Sequence, residues 1–173
     1  MRPAFAGDAM SRVAQFDTMV GAWRALASQR LAHPAPSGQR LVVLDTSALM
    51  QVPDLLSTMR RGDIPIVPRR VLEELDGIKE SAEEDKAQKA RSAIRSLERA
   101  GHAVSYESEV LDLLPPDWEP TSDNRILSVA LYLRLSDVLV VTGDRNFRNK
   151  ARAENIAAML PEEYRGVAPN QGS

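Results

Sequence analysis

The sequence predicts an α/β domain, a mostly parallel sheet with helices on both faces, preceded by an accessory helix. Three observations predict it. From Arg40 onward short apolar, β-branched runs alternate with helical patterns, the signature of strand–helix–strand crossovers. Two of those runs, Leu41–Leu44 and Val138–Val141, are apolar throughout, as parallel strands buried on both faces should be. Each is followed within a few residues by an aspartate, Asp45 or Asp144. In open α/β sheets ligands bind beyond the carboxyl ends of the strands. Two carboxylates delivered there by different strands point to a metal or phosphate site.

The elements follow in order. Over residues 8–32, Val13, Phe16, Val20, Trp23, Leu26, Ala27 and Leu31 recur at three- and four-residue steps, a helix that packs on the domain or on a partner. Pro34, Pro36 and Gly38 then break regularity, so residues 1–37 read as an accessory helix and a Pro-rich linker. Strands are expected at 41–45, 64–67, 103–106, 138–142 and 156–159, and helices near 47–60, 68–80, 83–100, 122–135 and 145–154. The main domain is taken as 38–168, with 169–173 as a tail. Within the charge-rich run Glu80–Lys89, Asp85 and Lys89 are spaced for a helical ion pair, which marks a solvated helix face.

Composition narrows the function classes. A chain of 173 residues, 43% hydrophobic and 27% charged, can bury a core. A net charge of −2 gives no global case for nucleic-acid binding, so any basic patch must be local. Four arginines against two aspartates make residues 1–37 net +2, which leaves −4 for the rest. The absence of cysteine excludes disulfides, zinc–thiolate sites and cysteine nucleophiles, and fits an intracellular protein. No apolar run is long enough to span a bilayer, and Asp8, Arg12 and Asp17 break any signal-peptide core.

Four acids carry the chemistry. Asp45 and Asp144 end strands, and each is also well placed to cap the helix that follows. In the helix around Val71–Ile78, a rotation of about 100° per residue gathers Val71, Leu72, Leu75 and Ile78 on one face. Glu73 falls opposite that face, in solvent, and Glu74 falls on its border and is the one to turn inward. Asp123 lies among Ile126, Leu127 and Ala130 on an apolar face, where a carboxylate is costly unless paired, hydrogen-bonded or metal-bound. The alternative is that Ser122 or Asp123 merely caps its helix. In a parallel sheet these strand ends and helix starts share one edge. Four carboxylates there repel one another unless a cation intervenes. All-oxygen ligands suit Mg²⁺ or Mn²⁺, and such a site supports displacement at phosphorus. His33, in the linker, and His102, in a turn, are bystanders.

Taken together, the segments Val43-Leu-Asp45-Thr-Ser-Ala-Leu49, Val67-Pro-Arg-Arg-Val-Leu-Glu-Glu74-Leu-Asp-Gly77, Ser122-Asp123-Asn-Arg-Ile-Leu127 and Val140-Val-Thr142-Gly-Asp144-Arg-Asn-Phe-Arg-Asn-Lys-Ala151 resemble a PIN-domain ribonuclease, in the family's order and over roughly 40–165. The Glu74-Leu-Asp-Gly77 and Asp144–Ala151 segments resemble the subgroup of the nonsense-mediated-decay and nuclear mRNA quality-control endonucleases more than the short bacterial toxins. The resemblance implies a three-layer α/β/α fold and metal-dependent endonucleolysis of single-stranded RNA. It implies metal binding and catalysis by Asp45, Glu74, Asp123 and Asp144, and it sets Thr142 at a hydroxyl position near the site. Many relatives carry a further acid where this chain has Asn124 or Asn146, which leaves the number of metal ions open.

Arg69, Arg70, Arg145, Arg148, Lys150 and Arg152 lie near the ends that carry the acids, where they could hold phosphates, with Thr142 beside them. Trp118 either stacks a base or packs over its loop. No base-reading element stands out, so base preference should be weak. Other readings compete with this one. A silent module would bind RNA or a protein partner without cleavage, and a homodimer or protein partner would use the 8–32 helix. A toxin-type ribonuclease is a second. A phosphatase with Asp45 as nucleophile would want an aspartate where Ser47 stands. A dinucleotide enzyme is a poorer reading still, since no Gly-x-Gly-x-x-Gly follows the first strand.

Overall fold

The computed structural model describes residues 38–166. The 8–32 helix, most of the linker and the 169–173 tail lie outside the described residues. Five strands form one sheet: β1 (Arg40–Leu44), β2 (Asp63–Pro68), β3 (Ser105–Glu107), β4 (Asp137–Val141) and β5 (Ala157–Met159). The order is β3-β2-β1-β4-β5 and every pairing is parallel. Central β1 and β4 run in register from Arg40 opposite Asp137 to Leu44 opposite Val141. Leu41–Leu44 and Val138–Val141 are buried, which is why these runs show no alternation. Interior β2 carries Pro65, but β3 pairs only with Ile66–Pro68, so one flank is open where the proline lacks its N–H.

The described helices are α1 (Thr46–Gln51), α2 (Arg69–Lys79), α3 (Glu84–Ala100), α4 (Ser122–Leu133), α5 (Arg145–Ala153) and α6 (Pro161–Gly166). This is the α/β/α arrangement with a parallel central sheet. Val71 and Leu75 bury the inner face of α2, and Ala87, Ala90, Ala93 and Leu97 bury a stripe of α3, which lies against it. Gly101 ends α3 with φ of +52°, the left-handed conformation that glycine adopts without a Cβ penalty.

Three expectations change. The single helix expected near 47–60 stops at Gln51, before Pro53, and resumes only as a 3-10 turn at Leu55–Thr58; a proline disfavours helical backbone in the residue before it. Asp85 and Lys89 do not pair. Lys86 binds Glu83 at 2.8 Å and Arg91 binds Glu84 instead, although the face is solvated as expected. The short α6 was not anticipated.

The topology positions the site. The chain runs β1, β2, β3 outward on one side, then returns to lay β4 on the other side of β1. The strand order reverses between β1 and β4, and a ligand crevice forms outside the carboxyl ends at such a switch point. Asp45 and Asp144 stand on its two sides.

Candidate active site

Asp45 follows the last residue of β1 and caps α1. Its carboxylate accepts from the Ala48 N–H at 2.8 Å, from the Ser47 hydroxyl at 2.9 Å and from the Thr142 hydroxyl at 2.5 Å. It is only 5% exposed. Burial pushes its carboxyl up to about 6; the bonds from Thr142, Ala48 and Ser47 pull the other way, and the Asp123 charge adds to the rise.

Asp144 caps α5, accepting from the Phe147 N–H at 2.8 Å, and it is exposed. Two hydroxyls join Asp45 to the turn that carries Asp144. The Thr142 hydroxyl donates to Asp45 and accepts from the Asp144 N–H at 3.0 Å. The Ser47 hydroxyl donates to Asp45 and accepts from the Gly143 N–H at 2.8 Å. Thr142 is fully buried and its hydroxyl is spent inside the protein, so it positions the two acids rather than touching substrate.

On α2, Glu73 is exposed and Glu74 turns inward, as the rotation argument requires. Glu74 accepts from the hydroxyls of Thr46 and Ser122, tying α2 to the starts of α1 and α4. Arg70 donates from Nε to the Ser122 hydroxyl at 2.8 Å and pairs with Glu73 at 2.9 Å.

Asp123 sits in the first turn of α4, capped by Thr121 rather than by Ser122 or Asp123. The helix is buried over Ile126–Leu131 and at Asn124, so it has no single apolar face, because it is packed on most sides. Asp123 is half-buried at the mouth of this packing, and no donor among the described residues bonds its carboxylate. Its carboxyl is raised by burial first and by the charge of Asp144; Lys150 lowers it and Glu74 raises it further. The four acids therefore share one electrostatic neighbourhood.

The basic side chains divide. Arg69 and Arg145 are exposed. Arg148 donates from Nη1 to the Thr142 carbonyl at 2.9 Å, bracing the turn between the acids. Arg152 reaches the Ala158 carbonyl at 2.9 Å. Trp118 packs partly buried against the core, with the Lys150 ammonium over its ring, so packing is its role. His102 is exposed in a 3-10 turn.

The donor set is carboxylate and hydroxyl oxygen throughout, and like charges raise Asp123, so the residues suit a hard divalent cation. As the side chains lie, no three acid or histidine groups among the described residues are close enough together to hold an ion. The fit is therefore one of charge and donor chemistry. The residues that sequence reasoning missed are the hydroxyls of Thr46, Ser47 and Ser122; their adjacency to Asp45 and Asp123 was the available signal.

A family model for the PIN domain matches residues 42–162. Among solved structures, a PilT N-terminus domain protein from the hyperthermophilic archaeon Sulfolobus solfataricus P2 aligns at a TM-score of 0.51 and 16% identity, over 78% of this chain and 98% of that one. A domain of a functionally unknown protein from Methanocaldococcus jannaschii DSM 2661 aligns at 0.46 and 19% identity, over 70% and 90%. At such identity the first likeness is one of fold. No curated protein matches the sequence.

Proposed function

The chain belongs to the PIN-domain family, and from that premise we propose that it is a metal-dependent endoribonuclease that hydrolyses phosphodiester bonds of single-stranded RNA. Base preference is weak, and the role is RNA decay or quality control inside the cell. In kind it stands nearest the nonsense-mediated-decay and nuclear quality-control endonucleases. No helix among the described residues is long and apolar enough to cross a membrane. The observation that carries the reading is the switch point between β1 and β4, where Thr142 joins Asp45 to the Asp144 N–H, Ser47 joins Asp45 to the Gly143 N–H, and the charges of Asp144 and Glu74 reach Asp123.

Bound there, Mg²⁺ or Mn²⁺ would neutralise charge on the attacked phosphate and leaving oxygen and activate water. Asp45, Asp123 and Asp144, with Glu74, would hold the ion. The Thr142 hydroxyl ties the Asp45 carboxylate to the Asp144 backbone, which holds the two strand ends beside each other. Arg69 and Arg145, exposed beside the edge, are the side chains free to meet backbone phosphates, with Arg70, Arg148 and Lys150 behind them.

The test is cleavage of a 5′-labelled single-stranded RNA with Mn²⁺, Mg²⁺ or EDTA, beside Asp144→Asn. Internal cuts that need metal and vanish in the variant are expected. RNA left intact under every metal condition would overturn the proposal in favour of a silent module that binds RNA or a protein partner. One observation favours that second reading: Asp45 and Glu74 already have their oxygens bonded within the protein, and no three acids converge.

A further inference from the structure

One amide at the carboxyl edge is unspent. Gln51 is the last residue of α1, the helix that Asp45 caps, and it is exposed. Its side chain lies on Gly143, the residue between Thr142 and Asp144. Among the described glycines, Gly143 alone lacks room for a Cβ, and the atoms that a Cβ would strike are Nε2, Oε1 and Cδ of Gln51. Gly143 is not among the glycines with positive φ, so it is the amide above it, not the backbone conformation, that wants glycine there. The Gly143 N–H is held by the Ser47 hydroxyl at 2.8 Å, which fixes the turn beneath the amide. Helix α1 thus starts at one strand-end acid and delivers its last side chain to the turn of the other. The amide itself makes no hydrogen bond among the described residues. It sets a donor and an acceptor side by side. Phosphate oxygens only accept, and a 2′-hydroxyl is a single point. A base edge offers a donor beside an acceptor, and a glutamine amide matches adenine, which presents its N6 amino group next to N7. Single-stranded RNA leaves such edges open.

We propose that Gln51 is the base-specificity residue of this edge: its amide pairs with the edge of an adenine in the single strand, beside the bond that is cut. The inference rests on the nuclease reading above and narrows it. One exposed contact gives a preference of about fivefold, the low end for a two-point pair, and the rest of the edge stays tolerant of sequence.

The experiment maps the cuts that the full chain makes with Mn²⁺ or Mg²⁺ in a 5′-labelled single-stranded RNA of mixed sequence. A second RNA carries purine, which lacks the N6 amino group, in place of the adenine at the strongest cut. Wild type should cut beside adenine about fivefold more often than beside other bases, and the purine should lose that excess. Gln51→Leu keeps the bulk and drops the amide, so the ratio of adenine cuts to other cuts should fall to parity. Gly143→Ala should do the same with Gln51 intact, because its methyl displaces the end of a flexible side chain at little cost to the fold. Partial misfolding lowers all cuts alike and leaves the ratio where it was. Wild-type cuts with no adenine excess, or an adenine excess that survives in either folded variant, overturn the inference and leave the nuclease reading intact. A loss in Gln51→Leu that is equal at every base assigns the amide to the sugar–phosphate backbone and overturns it too. RNA left uncut under every metal condition overturns both. If Gln51→Leu fails to fold, Gly143→Ala decides.

Discussion

At the start of β1, Arg40 reaches Asp137 at the start of β4, 3.0 Å away. At the start of β2, Asp63 accepts from the Tyr164 hydroxyl at 2.6 Å, and Arg60 lies over that ring, 4.7 Å from its centroid. At the other ends of β1 and β4, neither Asp45 nor Asp144 has a cationic partner among the described residues, although Arg70 pairs with Glu74 nearby. Asp45 is buried with hydroxyls and a backbone N–H as its partners, and Asp123 feels Asp144 and Glu74. One edge pairs an acid with a cation across strands. The other gathers acids and buries one of them at a cost that its hydrogen bonds only partly offset. Capping accounts for the places of Asp45 and Asp144, but not for an acid buried beside other acids, and shifted carboxyls gathered in this way cluster at functional sites.

The two edges differ most when one acid is neutralised at each. Asp144→Asn should reduce RNA cleavage by more than about a hundredfold, beyond the cost of an outer-sphere partner. Asp137→Asn, an exposed partner of Arg40, should leave it unchanged. Equal losses would erase the distinction between the edges.

Asp45→Asn reads the same difference as stability. The folded carboxyl titrates near 6, above its ordinary 3.8, so the native protein holds that proton more tightly than the unfolded chain does. The sign follows. Metal-free protein should lose stability as pH rises from about 4 through about 6, with the full loss present above that window, by at most about 3 kcal/mol. Asp45→Asn in EDTA should flatten that part of the profile and melt higher at pH 7. Melting curves from pH 4 to 8 with the wild-type slope retained would contradict the assignment.

Thr142→Val comes next. It removes the hydroxyl that joins the two aspartates, leaving the Asp45 carboxylate and the Asp144 N–H each short of a partner. About 1–3 kcal/mol of stability should go, with about a ten- to hundredfold drop in cleavage, read by urea titration and RNA assay. The smallest effect belongs to the paired edge. Tyr164→Phe loses the hydrogen bond to Asp63 and the longer one from the Arg60 N–H, and should cost about 1–2 kcal/mol with cleavage untouched.

Much of this was legible in sequence, for reasons that differ by residue. The runs Leu41–Leu44 and Val138–Val141 announce strands because their burial on both faces leaves no room for alternation. Helical rotation separates Glu73 from Glu74 because α2 buries one face only. The same argument is weaker for α4, whose packing on most sides removes the contrast that a wheel reads. The hydroxyl bridge was hidden because Ser47 and Thr142 are 95 residues apart, and only the parallel pairing of β1 with β4 brings them together. The ammonium of Lys150 was visible as one basic residue among six, but its acceptor was not, since Asn124 faces it only once α4 and α5 have packed.

The central claim is that the carboxyl edge is left short of positive charge that a divalent ion supplies. Thermal melts of the full chain with increasing Mn²⁺, beside Asp144→Asn, test it directly, because an ion that binds only the folded state raises the midpoint with its concentration. A midpoint that climbs with Mn²⁺ in the wild type and stays flat in Asp144→Asn is the expected result. A wild-type midpoint that does not move with Mn²⁺ would contradict the account.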